Sequence, residues 1–125
     1  MSTAYRNTVL VGSADNVAAT VIRGVLASNE ICHVTSSTTL WETLETESDS
    51  VGLVIIEEAM WAKNFATAIT RVRKTYGLPV VAVLSNATPQ SMGNAILAGA
   101  CGIVRGPILD SHGIMDAVND ALLAY

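Results

Sequence analysis

The residues of this sequence able to do chemistry are few, and they gather where apolar runs end. Ser13 and Asp15 follow the run that opens at Thr8; Glu57 and Glu58 follow Val51–Ile56; Ser85 follows Val80–Leu84; Arg105 closes the run from Gly102. Carboxylates at such points are ligands for a hard cation. Hydroxyls and a guanidinium are donors for the oxygens of an anion. Arg105 is also placed to pair with Glu57 or Glu58, and Ser13 and Ser85 have a second role open to them as backbone caps. His33 and His112 lie far apart, and Cys32 and Cys101 have no CxxC or Cys/His spacing, so no metal site is expected. Asp110-Ser111-His112 in one loop lacks triad geometry. Gly12-Ser13 is not a nucleophile elbow, and no glycine-rich phosphate loop is present.

The elements that must position these groups alternate. Thr8–Ser13 (TVLVGS) reads as a buried strand, and Asp15 as the cap of a helix with Val17, Ala18, Val21, Ile22, Val25 and Leu26 at helical spacing. Ile31–Thr35 is a short second strand. Thr38 or Thr39 starts a helix carrying Leu40, Trp41 and Leu44, with Glu42, Glu45 and Glu47 outward. Val51–Ile56 lacks alternation, as a strand covered on both faces does. Phe65, Ile69, Val72 and Tyr76 mark a third helix stopped by Gly77. Val80–Leu84 is a fourth strand, and Thr88-Pro89 caps and opens a helix that Gly99 ends. Gly102–Arg105 is a fifth strand and Gly106-Pro107 a turn. Asp110 caps a last helix with Ile114, Val118, Ala121 and Leu122 inward.

Five β–α units in series predict an α/β fold: a doubly wound, five-stranded parallel sheet in the flavodoxin-like order 2-1-3-4-5. The 125 residues fit one domain, 1–125; half are hydrophobic and 14% charged, which supplies a real core. A net charge of −4 argues against direct nucleic-acid binding, although Arg71, Arg73 and Lys74 make a local basic patch. The polar stretch Met1–Thr8 does not read as a secretory leader, and no apolar run approaches the ~20 residues of a membrane span, so a cytoplasmic, reduced protein is expected.

Four segments carry a family resemblance. Ala98–Pro107 (AGACGIVRGP) resembles the AGAxGYLxKP pattern around strand 5 of response-regulator receivers, the CheY-like family; Leu78–Leu84 (LPVVAVL) is similar to their strand-4 pattern xPVIxLT. Gly52–Glu57 resembles the strand ending in the phospho-accepting aspartate, and Val9–Ser13 the strand ending in an acidic pair. The resemblance spans nearly the whole chain. It implies a site in which the acidic pair and the acceptor aspartate bind Mg²⁺, while a hydroxyl after strand 4 and a lysine after strand 5 hold the phosphoryl oxygens.

Carried over by position, that set is missing. The acidic pair falls on Gly12 and Ser13, the acceptor on Glu57, the hydroxyl on Leu84, the lysine on Gly106, the aromatic of strand 5 on Ile103, and the proline beyond the acceptor on Trp61. The resemblance therefore implies a pseudo-receiver. It implies a signalling domain, not an enzyme and without cofactor, that acts through a protein partner or a linked output domain such as that of a transcription regulator. Asp15, Glu58, Ser85 and Arg105 remain as a residual polar site. Glu57 has two readings, a fixed mimic of a phosphorylated aspartate or a solvated loop acid. The last strand and helix, with Ala100, Ile103, Ile114, Ala117 and Ala121, are the expected partner or homodimer face. Trp41 and Trp61 are either packing residues or partner anchors. The rival readings are an atypical receiver phosphorylated at Glu57 or Asp15, and a small flavodoxin-like enzyme or ligand-binding protein.

Overall fold

The computed structural model describes residues 8–106 and 109–123. Its strands are β1 (Thr8–Gly12), β2 (Glu30–Val34), β3 (Val51–Glu57), β4 (Val80–Leu84) and β5 (Gly102–Arg105). Its helices are α1 (Asn16–Val25), α2 (Ser37–Glu47), α3 (Phe65–Thr75), α4 (Pro89–Ala98) and α5 (Ser111–Leu123). All strand pairs are parallel, and the order is β2-β1-β3-β4-β5. The expected doubly wound α/β sheet is what forms.

Strand alternation builds two cores from one sheet. Leu10, Val54, Ile56, Ala82 and Leu84 face Leu40 and Leu44 of α2 and Phe65, Ile69 and Val72 of α3. Val9, Val11, Ile55, Val81 and Val83 face Ile22 of α1 and Ile114, Val118 and Ala121 of α5. Each central strand is thus apolar at successive positions, because each of its faces is covered.

Local chemistry sets most boundaries. Asp15 accepts from the Val17 amide and starts α1. Thr88 and Ser91 exchange capping bonds at α4, with Pro89 as first residue, and Gly99 ends that helix at φ 118. The Asp110 carboxylate accepts from the His112 amide at the start of α5. Gly102 has another reason to be glycine. A Cβ there would come within 2.2 Å of the Ala117 carbonyl oxygen, so the absent side chain lets β5 lie directly against α5.

The structure corrects four expectations. β1 ends at Gly12, and Ser13 belongs to the turn. Helix α2 begins at Ser37, capped by the Ser36 hydroxyl, and not at Thr38 or Thr39. Leu122 is 53% exposed, so it stands outside the core. Most consequential, Ile114, Ala117 and Ala121 are 1%, 2% and 0% exposed. They are the inner stripe of α5 against β5 and cannot form a partner face; of the five residues expected there, Ala100 and Ile103 are half-buried. Pro107, of the expected Gly106-Pro107 turn, lies outside the described residues.

Candidate functional site

In an open parallel sheet the crevice for chemistry lies at the carboxyl ends of the strands, where β1 and β3 diverge from their neighbours. Ser13 sits there, 1% exposed, as the single buried polar side chain among the described residues. Every polar group of Ser13 is used. Its amide donates to the Val34 carbonyl at 3.1 Å. Its carbonyl lies 2.8 Å from His33 Nε2; a carbonyl only accepts, so that ring nitrogen carries the proton. Its hydroxyl accepts from the Asp15 amide at 3.0 Å and lies 3.0 Å from Glu57 Oε1 and 3.1 Å from the Asp15 carbonyl, either of which takes its one proton. A residue on the β1 turn thereby ties down the carboxylate at the end of β3.

Around this pair lies a cavity of about 400 Å³. Its polar lining is Asp15, Glu57 and Ser85, and its apolar wall is Val17, Val21, Val83 and Leu109. Gly106 completes the rim where the family pattern has lysine. Val17, in the first turn of α1, is 72% exposed and stands at this opening, not in the core its helical spacing suggests.

Of the residues expected at the residual polar site, Asp15 and Ser85 line the cavity, while Glu58 and Arg105 do not. The reason is strand parity. Arg105 stands opposite Leu84, and Glu57 opposite Val83, so their side chains leave opposite faces of the sheet. No ion pair joins Arg105 to Glu57 or Glu58 among the described residues. Glu58 has already left the strand for the turn Glu58–Met60.

The other positions of the family set are closed by packing. A Cβ on Gly12 would lie 2.6 Å from Leu40 Cδ1 and 3.0 Å from Met60 Cε. Leu84 is fully buried among the α3 and α4 side chains. The Gly106 amide donates to the Leu84 carbonyl at 2.6 Å, and a Cβ on Gly106 would meet that same oxygen at 2.9 Å. So a side chain at either position would force its neighbours to shift, the ends of Leu40 and Met60 at Gly12 and the backbone at Gly106.

Away from the cavity, Trp41, Trp61 and Tyr76 form one aromatic group between α2 and α3. Trp41 and Trp61 meet edge to face at 5.3 Å, and Trp41 stacks with Tyr76 at 6.4 Å. The Arg71 guanidinium lies 3.9 Å above Trp41, and the Tyr76 hydroxyl donates to Glu45 at 3.1 Å. Trp61 is buried with its indole N–H unpartnered. The expected basic patch is accordingly divided: Arg71 covers Trp41 while Arg73 donates to Cys101 Sγ. On β2, burial pushes the Cys32 thiol pKa up, and Glu47 and Glu30 add to the shift.

No protein-family model matches the sequence, and a search of curated proteins finds no match. Solved structures do match. A response regulator from Thermotoga maritima superposes with a TM-score of 0.82 at 15% identity, over 93% of this chain and 97% of that one. A pilus assembly-related protein from Burkholderia pseudomallei gives 0.76 at 18% identity, over 98% and 94%. An orphan response regulator of H. pylori gives 0.76 at 16% identity, over 94% and 98%. The fold is that of a receiver domain. At these identities the likeness extends to the receiver scaffold, and the site must be read from its own residues. No helix of the described residues is long and apolar enough to cross a membrane.

Proposed function

We propose that this receiver-fold chain is a signalling module that works by protein contact and accepts no phosphoryl group. One observation carries the reading. At the five positions that would hold Mg²⁺ and phosphate stand Gly12, Ser13, Glu57, Leu84 and Gly106, and a Cβ on Gly12 or Gly106 would meet a neighbouring atom at 2.6 or 2.9 Å. Without the acidic pair a hard cation loses most of its carboxylate ligands. Without the lysine, the developing phosphoryl charge loses its cationic partner. Glu57, bonded to Ser13, already holds a fixed negative charge at the acceptor position.

The module acts on a protein partner or on an output domain in the same polypeptide, without direct nucleic-acid contact, in the cytoplasm. Among the described residues, the exposed large apolar side chains away from the cavity are Ile96 and Leu97 on α4, 58% and 88% exposed, with Met115, Leu122 and Leu123 on α5. They replace the buried alanines as the partner face, and self-association through β5 and α5 would use them together with Ala100 and Ile103.

The test is an amide NMR titration with Mg²⁺ and then beryllofluoride, a phosphoryl mimic. Unchanged spectra at Gly12–Asp15, Glu57 and Ser85 are expected. Saturable shifts at those residues that spread to α5 would establish instead an atypical receiver charged at Glu57 or Asp15.

A further inference from the structure

We infer that the cavity at the carboxyl ends of the strands binds an organic cation: an alkylammonium or guanidinium group on an aliphatic stem. This rests on the reading that the site no longer takes a phosphoryl group, and it inverts the sign of the ligand. Two carboxylates, Asp15 and Glu57, line the cavity, and among the described residues no lysine, arginine or histidine does. The amide end of α1 opens on the same space, and alone it would favour an anion. Its charge is roughly half a unit, and the Asp15 carboxylate already accepts from the Val17 amide. Two full negative charges outweigh it.

The rest of the lining matches the rest of such a ligand. Val17, Val21, Val83 and Leu109 form an apolar wall suited to methylenes, and Ser85 offers a hydroxyl at the rim. About 400 Å³ falls within the size range of small-molecule pockets. With its proton on the Glu57 side, the Ser13 hydroxyl holds this carboxylate before the ligand arrives, which lowers the ordering cost of binding. Gly106 matters here too. With no side chain at that position, no cation among the described residues stands beside these carboxylates.

The same chemistry reaches the cavity from two sources, a free aliphatic amine or the lysine or arginine side chain of a partner protein. The experiment is an amide NMR titration of the full chain with n-butylammonium, with agmatine, with N-acetyl-lysine amide, and with neutral n-butanol. Shifts at Asp15, Val17, Val21, Ser85 and Leu109 are expected with the cations, with a dissociation constant on the order of 1 mM for so small a probe. Glu57→Gln keeps an acceptor for the Ser13 hydroxyl and Asp15→Asn keeps a helix cap, so both fold. Each is expected to weaken cation binding by about 5-fold, while the weak response to butanol stays the same. Binding of the capped lysine as tightly as butylammonium identifies a partner side chain as the source; binding of the free amines alone identifies a metabolite. Absence of shifts with every cation, or equal shifts with butanol in wild type and variants, overturns the inference. The beryllofluoride titration separates the failures: silence there together with silence here leaves the phosphorylation-independent reading standing and removes only the cation.

Discussion

Gly12 and Ser13 are neighbours in the chain and stand where the acidic pair of the family pattern falls, yet they have opposite surroundings. On the α2–α3 side of the sheet, the space beside Gly12 is filled by Leu40, Met60 and Ile56. On the α1–α5 side, Ser13 reaches Glu57 beside an open cavity. One half of the site has been absorbed into the hydrophobic core, and the other remains polar and accessible. On the proposed reading, a receiver scaffold loses its chemistry in two ways at once, by repacking on one face and by exchange of polar groups on the other. Only the second way leaves a pocket.

Substitutions at these two neighbours test the contrast directly. Gly12→Asp drives a carboxylate into hydrocarbon with no partner, and a loss of about 3–5 kcal/mol in unfolding free energy is expected from urea titration. Burial raises the pKa of the introduced acid above its unfolded value, so the penalty grows as pH rises through the unfolded carboxylate range and shrinks in acid. Gly106→Lys comes next, at about 1–3 kcal/mol, because its Cβ meets the Leu84 carbonyl at 2.9 Å. This variant is also expected not to restore a response to beryllofluoride. Ser13→Ala is milder, at about 1 kcal/mol, since the Asp15 amide and Glu57 it abandons are open enough for water to replace the hydroxyl. Gly12→Asp no more costly than Ser13→Ala would mean that the two faces do not differ as described.

Much of the fold was legible in the sequence because its boundaries rest on local chemistry. Strand β4, strand β5 and the Thr88-Pro89 start of α4 fall where the pattern places them. The start of α2 does not, because Ser36, Ser37, Thr38 and Thr39 are all competent caps, and it is the Ser36 hydroxyl that accepts from the Thr39 amide. Small residues misled in the same way. Ala117 and Ala121 read as a flat surface for a partner, but both are buried, and Gly102 of β5 lies directly against the Ala117 backbone. The site was legible as a set of positions and not as a set of partnerships. Ser13 and Glu57 meet across 44 residues of chain because β1 and β3 are neighbours, which strand order implies. Arg105 was matched to Glu57 by its place at a strand end, whereas the face each side chain leaves from depends on a register that only the folded sheet displays.

The smallest expected effect lies away from both halves of the site, on β2. The Cys32 thiol holds its proton more tightly in the folded chain than in the unfolded one, through burial first and then through the charges of Glu47 and Glu30. As pH rises past the ordinary thiol pKa, the unfolded state therefore releases a proton that the folded state keeps. The unfolded state binds fewer protons there, so stability falls with pH across that interval and levels off once the folded thiol has ionised. Other groups titrate in alkali, so the measurement is a difference: urea midpoints of wild type and Cys32→Ser from neutral to alkaline pH. The wild type should lose more stability than the variant above the thiol range, and the two should change in parallel below it. Parallel curves throughout would mean that Cys32 is as easily ionised folded as unfolded, and that the edge of the sheet beside Glu30 and Glu47 is open to water.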